Sequence, residues 1–454
     1  MGKVNTPSIS SNPKPVLRLI DAMVLIIGIV IGAGIFRTPS VVASNTPNEF
    51  WFLGIWVLGG IISLIGALCY SELSSTFPNT GGDYHFLKLA FGKRFSFLFA
   101  WSRITITQTG SIAILAYIAG DYLSQLLPLG TFSSTNYALL IVLALTMINI
   151  IGIQFGTGIQ KILMSLQFIG IAIIIIAGFF IEPSTTIIAN SEPLMAGIPS
   201  TATISLALIF VLLSFGGWNE AAYISSELKT GSKNMAFVLI GSILVITLIY
   251  LLINMAFINA LGLEGIASSE AVGIDMMRVT LGENGVLLIG ILVTLSALTS
   301  LNSTIFTGAR SNYAMGKDFV ALSFLGKWNG EKSAPVNSLI VQGVIAVALV
   351  IFGAFTRNGF ESMVDFTAPV FWFFFLCTGV SLIVLRKKRP DTPRPFKVPL
   401  YPVTPILFIA FSAYMLYSSL SFTGVGSLVG VGILLIGLVI SFVLKKRTSK
   451  KSGI

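Results

Sequence analysis

Charge is scarce in this chain. Only 10% of its 454 residues are Asp, Glu, Lys or Arg, 54% are hydrophobic, and mean hydropathy is +0.90. A soluble chain carries about 25% charge, so a soluble globular domain is excluded and a polytopic membrane protein is indicated. Histidine is nearly absent too: His85 is the only one, which argues against His-based metal chemistry and triad hydrolysis. Two cysteines, Cys69 and Cys377, both lie inside apolar segments and read as small core residues, not as a disulfide or metal pair. No glycine-rich loop ends in Lys-Ser or Lys-Thr, so ATP drive is not indicated. No cleavage-site pattern precedes the glycines of the first apolar run, which is read as a retained span.

What the chain has in abundance is apolar runs of membrane-crossing length. Twelve spans are expected, near 17–43, 50–76, 96–127, 136–153, 157–181, 201–227, 236–260, 284–311, 335–354, 361–386, 401–421 and 424–444. With both termini in the cytoplasm, Arg278 and Arg357 are the only cations of the chain's 28 in outer loops, and Arg37 and Arg103 lie within spans. That asymmetry follows the positive-inside rule. The net charge of +10 is thus topology, with basic clusters at 386–397 and 445–451 suited to anionic lipid, and it requires no nucleic acid.

The first span is interrupted where it should be continuous. Gly28, Gly32 and Gly34 fall in seven residues ahead of Pro39, and each Gly costs a helix about 1 kcal/mol relative to Ala. An unwound segment at mid-membrane depth is predicted, and its bare amides and carbonyls must line a buried site. Span 6 repeats the design with Gly216 and Gly217. Spans 1 and 6 are five apart, so each opens one half of a five-plus-five inverted repeat, the usual setting of a midplane solute site. Amides of the half-helix beginning near Ile35 favour an anion. Carbonyls around Ile29–Ile31 and Leu213–Phe215 accept from an ammonium group. Two such poles made of main chain suit an α-amino acid. The alternative, glycines serving close helix packing, stays open for either cluster alone.

Several motifs carry a family resemblance. They are Gly32-Ala-Gly-Ile-Phe36, Tyr70-Ser-Glu-Leu73, Phe77-Pro78-Asn-Thr-Gly81-Gly82-Asp-Tyr84, Ser214-Phe-Gly-Gly-Trp218-Asn219, Ser300-Leu-Asn302 and Ala309-Arg310-Ser-Asn-Tyr313-Ala314. Over spans 1 to 10 the chain resembles the amino acid–polyamine–organocation family, in the branch of the L-type amino acid transporters. The resemblance implies an all-α membrane fold with a ten-helix inverted-repeat core, two peripheral helices and transport by alternating access. The expected division is a tail at 1–15, repeats at 16–182 and 183–397, peripheral spans at 398–444 and a basic tail at 445–454. It implies that Gly32, Ala33 and Gly34 hold the substrate carboxylate and that carbonyls of Ile29, Leu213 and Phe215, beside Ser214 and Gly216, hold the amine. Thr107 and Thr109 then face the side-chain pocket.

The chain departs from the family pattern at two points. Relatives often carry a lysine in span 5 that stands in for a sodium ion; the matching position here is Gln167. The vacated place leaves a candidate sodium site of Ser296, Thr299 and Ser300 with carbonyls of Gly28 and Ile31. The alternative is hydroxyls bonded back to their own helix. Many relatives also place an aromatic gate at the position of Leu213, a role open here to Phe215 or Phe210. Arg37 and Asp365 are a candidate outer gate, or else snorkel independently. Glu220 follows the span 6 break by about one turn and is an intramembrane acid, a functional candidate by default.

Secondary transport of small or medium neutral amino acids is the resulting expectation. A membrane enzyme lacks any convergent catalytic cluster, a channel does not fit two breaks meeting at one site, and a transport-inactive nutrient sensor is the alternative from another class. No cofactor is expected beyond the candidate sodium ion. The loop Pro128 to Asn136 lacks the cysteine through which eukaryotic relatives join a glycoprotein, so no disulfide-linked heavy chain is expected. A monomer or weak homo-oligomer in a bacterial inner membrane is.

Overall fold

The computed structural model describes residues 18–79, 81–151, 153–180, 199–229, 231–329, 332, 334–355, 359–421 and 425–451. The tail at 1–15, Arg357 and residues 452–454 lie outside them. Ten helices are long and apolar enough to cross a membrane. They are spans 2 (Glu49–Thr76), 4 (Ser133–Ile151), 5 (Ile162–Phe180), 6 (Thr201–Ser225), 7 (Met235–Ser268), 8 (Val272–Asp318), 9 (Val336–Ala354), 10 (Ser362–Lys388), 11 (Val403–Ser421) and 12 (Gly426–Val443). Spans 1 and 3 complete the twelve, and each is interrupted. Span 1 divides into Leu19–Val30, a 3-10 turn Ala33–Phe36 and Thr38–Ala43. Span 3 divides into Lys93–Ser102, a wider π-helical turn Arg103–Thr107 and Gln108–Leu126.

The pairing of spans carries the inverted repeat. Span 2 packs most heavily on span 7 and span 3 on span 8, span 9 has span 4 as its main neighbour, and the parts of span 1 touch those of span 6. Four of the five helices of each half therefore meet their equivalents across a pseudo-two-fold. The contact of span 5 with span 8 is mirrored by that of span 10 with span 3. Spans 11 and 12 lie outside this arrangement against span 10. Burial follows: 67% of the span 10 segment is buried but only 22% of span 12, whose Leu435, Ile436 and Val439 are exposed as lipid-facing side chains should be.

Local chemistry sets the ends. Asn48 caps span 2 by accepting from the Trp51 amide at 3.1 Å, and Ser200 caps span 6 by accepting from Thr203 at 3.2 Å. A short connecting helix, Gly82–Phe91, follows span 2 and packs on span 10 and the second half of span 6. It is tied to the end of span 8 by Asp318, which accepts from Tyr84 Oη and Lys88 Nζ, both at 2.6 Å. Glu72 accepts from Arg386 Nε at 2.7 Å and from the Val398 amide at 2.7 Å, and Arg394 lies 3.3 Å away. A buried carboxylate at the end of span 2 thus holds the basic loop between spans 10 and 11. Between spans 3, 4, 8 and 9, an amide ladder fixes the scaffold. Asn149 donates to Asn302 at 2.7 Å, Gln342 to the Ile305 carbonyl at 3.0 Å, and Gln108 to the Thr304 carbonyl at 2.6 Å.

Candidate functional site

The interruption of span 1 begins with one misdirected amide. Ile31 still donates to the Ile27 carbonyl at 2.8 Å, but Gly32 donates to Val30 at 2.7 Å instead of reaching back to Gly28. The helix ends there, and no side chain caps the 3-10 turn that follows. Gly32 lies so close to span 8 that a Cβ would come within 2.9 Å of Ser300 Oγ. In span 6 the first helix ends at Ser214, because Gly217 takes φ +108°, a left-handed conformation that disfavours any side chain. A Cβ on Gly217 would also lie 2.9 Å from Ile29 Cγ2, so the two interruptions touch.

Side chains bind them together. Thr38 Oγ1 and Ser214 Oγ are 2.7 Å apart, joining the outward half of span 1 to the end of the first helix of span 6. Tyr250, from span 7, is fully buried and donates to the Val30 carbonyl at 3.0 Å and the Ser214 carbonyl at 2.7 Å. One phenolic proton is thus shared between the last carbonyls of the two broken helices.

A cavity of about 190 Å³ opens at this junction. Ile29, Gly32, Gly34, Leu213, Ser214 and Gly216 line it, with Thr107 from span 3 and Ser300 from span 8. It therefore gathers residues from both repeats that the sequence singled out. Four expectations change. Gly32's amide is taken by Val30, which leaves the anion pole to the amides of Ala33 and Gly34. Leu213's carbonyl accepts from Gly216 at 2.9 Å, so it is occupied by the turn that ends its own helix. Thr109 is buried but does not line the cavity, whereas Thr107 and Ser111 do; positions two apart on a helix lie on opposite faces. Phe215 packs between Trp56 and Tyr250, with ring centroids 6.5 and 5.0 Å away. Neither it nor Phe210 is part of the wall. The aromatic surface comes from span 10 instead, through Phe371, Trp372 and Phe375.

The proposed outer gate is also rearranged. Arg37 donates to the Glu270 carbonyl, in the segment between spans 7 and 8, and Asp365 sits with its Cβ against Gly426 of span 12. Near Arg37, Tyr122 donates to the Phe36 carbonyl at 3.3 Å.

Ser300, on the wall, and Ser296, one turn away, are buried and their hydroxyls have no partner among the described residues. Thr299 donates back to Leu295 at 2.7 Å. Gln167 is buried too, with both ends of its amide unpartnered among the described residues. It lies one turn from Gly170, which packs on Leu292 of span 8.

The opposite end of the cavity holds side chains that pattern reading left without partners. Arg103, in the π-helical turn of span 3, donates from Nη2 to Glu220 Oε1 and Oε2 at 2.8 and 2.9 Å and from Nη1 to Tyr223 Oη at 3.0 Å. Asp83, on the connecting helix, is buried and accepts from Thr378 of span 10 at 3.2 Å. Arg103, Glu220 and Asp83 all line the cavity. Two of them were visible as intramembrane charges; their pairing was not, because 117 residues separate them.

The model of the amino acid permease family matches residues 17–444, nearly the whole chain. The chain belongs to that family. Its relatives include the mouse b(0,+)-type amino acid transporter 1, 28% identical over 403 residues covering 88% of this chain and 81% of the relative. The mouse large neutral amino acids transporter small subunit 2 is 29% identical over 442 residues, covering 94% and 81%. The mouse Asc-type amino acid transporter 1 is 29% identical over 436 residues, covering 93% and 79%. All three are amino acid transporters by name, as the motifs in spans 1, 6 and 8 implied. This permease is a multi-pass membrane transporter of amino acids, not an enzyme.

Proposed function

We propose that this permease moves small or medium neutral L-amino acids across the bacterial inner membrane by alternating access, with both termini in the cytoplasm. One observation carries the reading: two interrupted helices touch, and residues of both interruptions, Ile29, Gly32 and Gly34 with Leu213, Ser214 and Gly216, line one small cavity. Of the wall residues, the amide of Gly34 suits a carboxylate and the carbonyl of Ile29 suits an ammonium group. The acids and base that line the cavity are already engaged with groups of the chain itself, which favours a substrate with no side-chain charge. Phe371, Trp372 and Phe375 offer an apolar surface for its side chain. The name of one relative, the large neutral amino acids transporter small subunit 2, supports a substrate without side-chain charge.

Uptake of labelled L-alanine and L-leucine into proteoliposomes tests this. Saturable, stereoselective counterflow, competed by neutral amino acids and not by lysine or glutamate, is expected. Flux that does not saturate indicates a channel, and binding without counterflow indicates a sensor. The chain acts without a disulfide-linked partner, since Cys69 and Cys377 are both buried. As a monomer or weak homo-oligomer, it gives a single-chain mass by light scattering in detergent.

A second reading, sodium symport, is favoured by the orphaned hydroxyls of Ser296 and Ser300 beside the span 1 interruption. The α-helical donor to the Gly28 carbonyl has turned away, so that oxygen and Ile31's carbonyl complete an all-oxygen set suited to a hard cation. Thr299, turned to Leu295, contributes only after rotating. Replacing sodium by choline abolishes uptake under this reading; unchanged uptake rejects it.

A further inference from the structure

At the end of the cavity away from Arg37, a buried carboxylate, Asp83, and a part-buried one, Glu220, compete for one guanidinium. Arg103 is 5% exposed, and both of its terminal nitrogens are committed to the second half of span 6 through Glu220 and Tyr223. Its Nε is buried without a partner among the described residues. Asp83 is 3% exposed and is left with the Thr378 hydroxyl as its hydrogen-bond donor. The Tyr70 hydroxyl faces it without closing a bond of good geometry. An ionised carboxylate in such a place is costly unless paired.

We propose that Asp83 is a proton-carrying site, loaded while Arg103 is held by Glu220 and emptied when the second half of span 6 swings away and Arg103 turns to Asp83. This deepens the carrier reading above and rests on it. Loading transfers a proton from cavity water to the Asp83 carboxylate, giving a neutral carboxyl. Emptying returns that proton to water as the guanidinium forms an ion pair with the carboxylate. The hinge for the swing is the Gly216-Gly217 turn.

The groups that face Asp83 support this order. From span 2 comes Tyr70, from span 3 Arg103, from the second half of span 6 Glu220 and Tyr223, and from span 10 Thr378. On its own helix, Tyr84 and Lys88 are turned to Asp318. Burial outweighs the help of Tyr70 and Arg103 and pushes the Asp83 carboxyl up to about 6. It lines the cavity, so water reaches it as the substrate does. The unpartnered Nε marks a guanidinium with bonding capacity in reserve.

The full chain is reconstituted with a pH-sensitive dye in the lumen, and labelled L-alanine or L-leucine is added outside. Lumenal acidification in step with label entry is expected. In Asp83→Asn the ratio of protons to label falls about tenfold or more, whatever the rate of entry. Glu220→Gln frees Arg103 for Asp83 and moves the midpoint of pH dependence to lower pH by about one unit, tenfold in proton affinity. Label entry without acidification in the wild type overturns the proton site and leaves the carrier intact. If neither amino acid enters, the carrier reading fails for them, and infrared titration of the detergent-solubilised chain decides the proposal. A carboxyl band titrating near pH 6 and missing in Asp83→Asn supports it; a spectrum that Asp83→Asn leaves unchanged overturns it.

Discussion

The two ends of the cavity are held by different chemistry. Toward Arg37 the contacts are neutral or made to main chain: Thr38 with Ser214, Tyr122 with the Phe36 carbonyl, Arg37 with the Glu270 carbonyl. At the other end an ion pair bridges span 3 and the second half of span 6, with a second acid beside it. Neutral hydrogen bonds are worth about 1 kcal/mol each and part easily. A buried ion pair exacts far more when one partner is removed. The end bridged by the ion pair is therefore the one whose opening needs a compensating event, and the end near Arg37, which has no such bridge among the described residues, follows the substrate more readily.

The largest effect that tests this contrast is on the ion pair. Arg103→Gln leaves Glu220 buried and unpaired, and a loss of about 3–5 kcal/mol is expected, read as a lower unfolding midpoint in detergent. The double variant Arg103→Gln with Glu220→Gln recovers most of it. If the single variant melts like the wild type, the two ends do not differ as described.

Next comes pH. Asp83, raised from the ordinary carboxylate range to about 6, holds a proton in the folded chain that the unfolded chain has released. Stability therefore falls as pH rises from about 4 to about 6, by roughly 2–3 kcal/mol, and levels off above. Asp83→Asn flattens that slope, and a slope that persists in this variant assigns it to another group.

Smaller again is Gly217→Ala. The left-handed backbone and the approach to Ile29 give a cost of about 1–2 kcal/mol, together with slower uptake. The smallest is Tyr250→Phe, which removes one hydroxyl. About 1 kcal/mol is expected, seen as a several-fold fall in initial uptake rate with little change in the melting midpoint. A loss of stability larger than that of Arg103→Gln would place the ionic end second.

Much of the fold was legible because lipid imposes one rule on every span. A run of apolar residues must be helical, and glycines that break it must do so at a protected place. Gly32 and Gly217 therefore announced the interruptions, and the five-span offset announced the repeat. What pattern reading missed were side chains whose meaning depends on a partner far along the chain. Trp372 reads as an interface residue until span 10 is seen to wall the cavity. Leu213 looks like a missing gate until the aromatic surface is found on another helix. Asp83 lies in a quoted motif, Gly81-Gly82-Asp83-Tyr84, yet nothing local distinguishes it from a loop acid. Arg37 and Asp365 were joined by position along the membrane normal, which fixes depth and leaves the angle around the bundle undetermined.

Tyr250 has a single hydrogen and two oxygens waiting for it, one on each fractured rod. Neither rod can straighten alone without pulling on the hydroxyl that the other also holds. The two halves of the molecule are thereby obliged to change shape on one beat, so a passage open along its whole length is a state this residue makes expensive to visit.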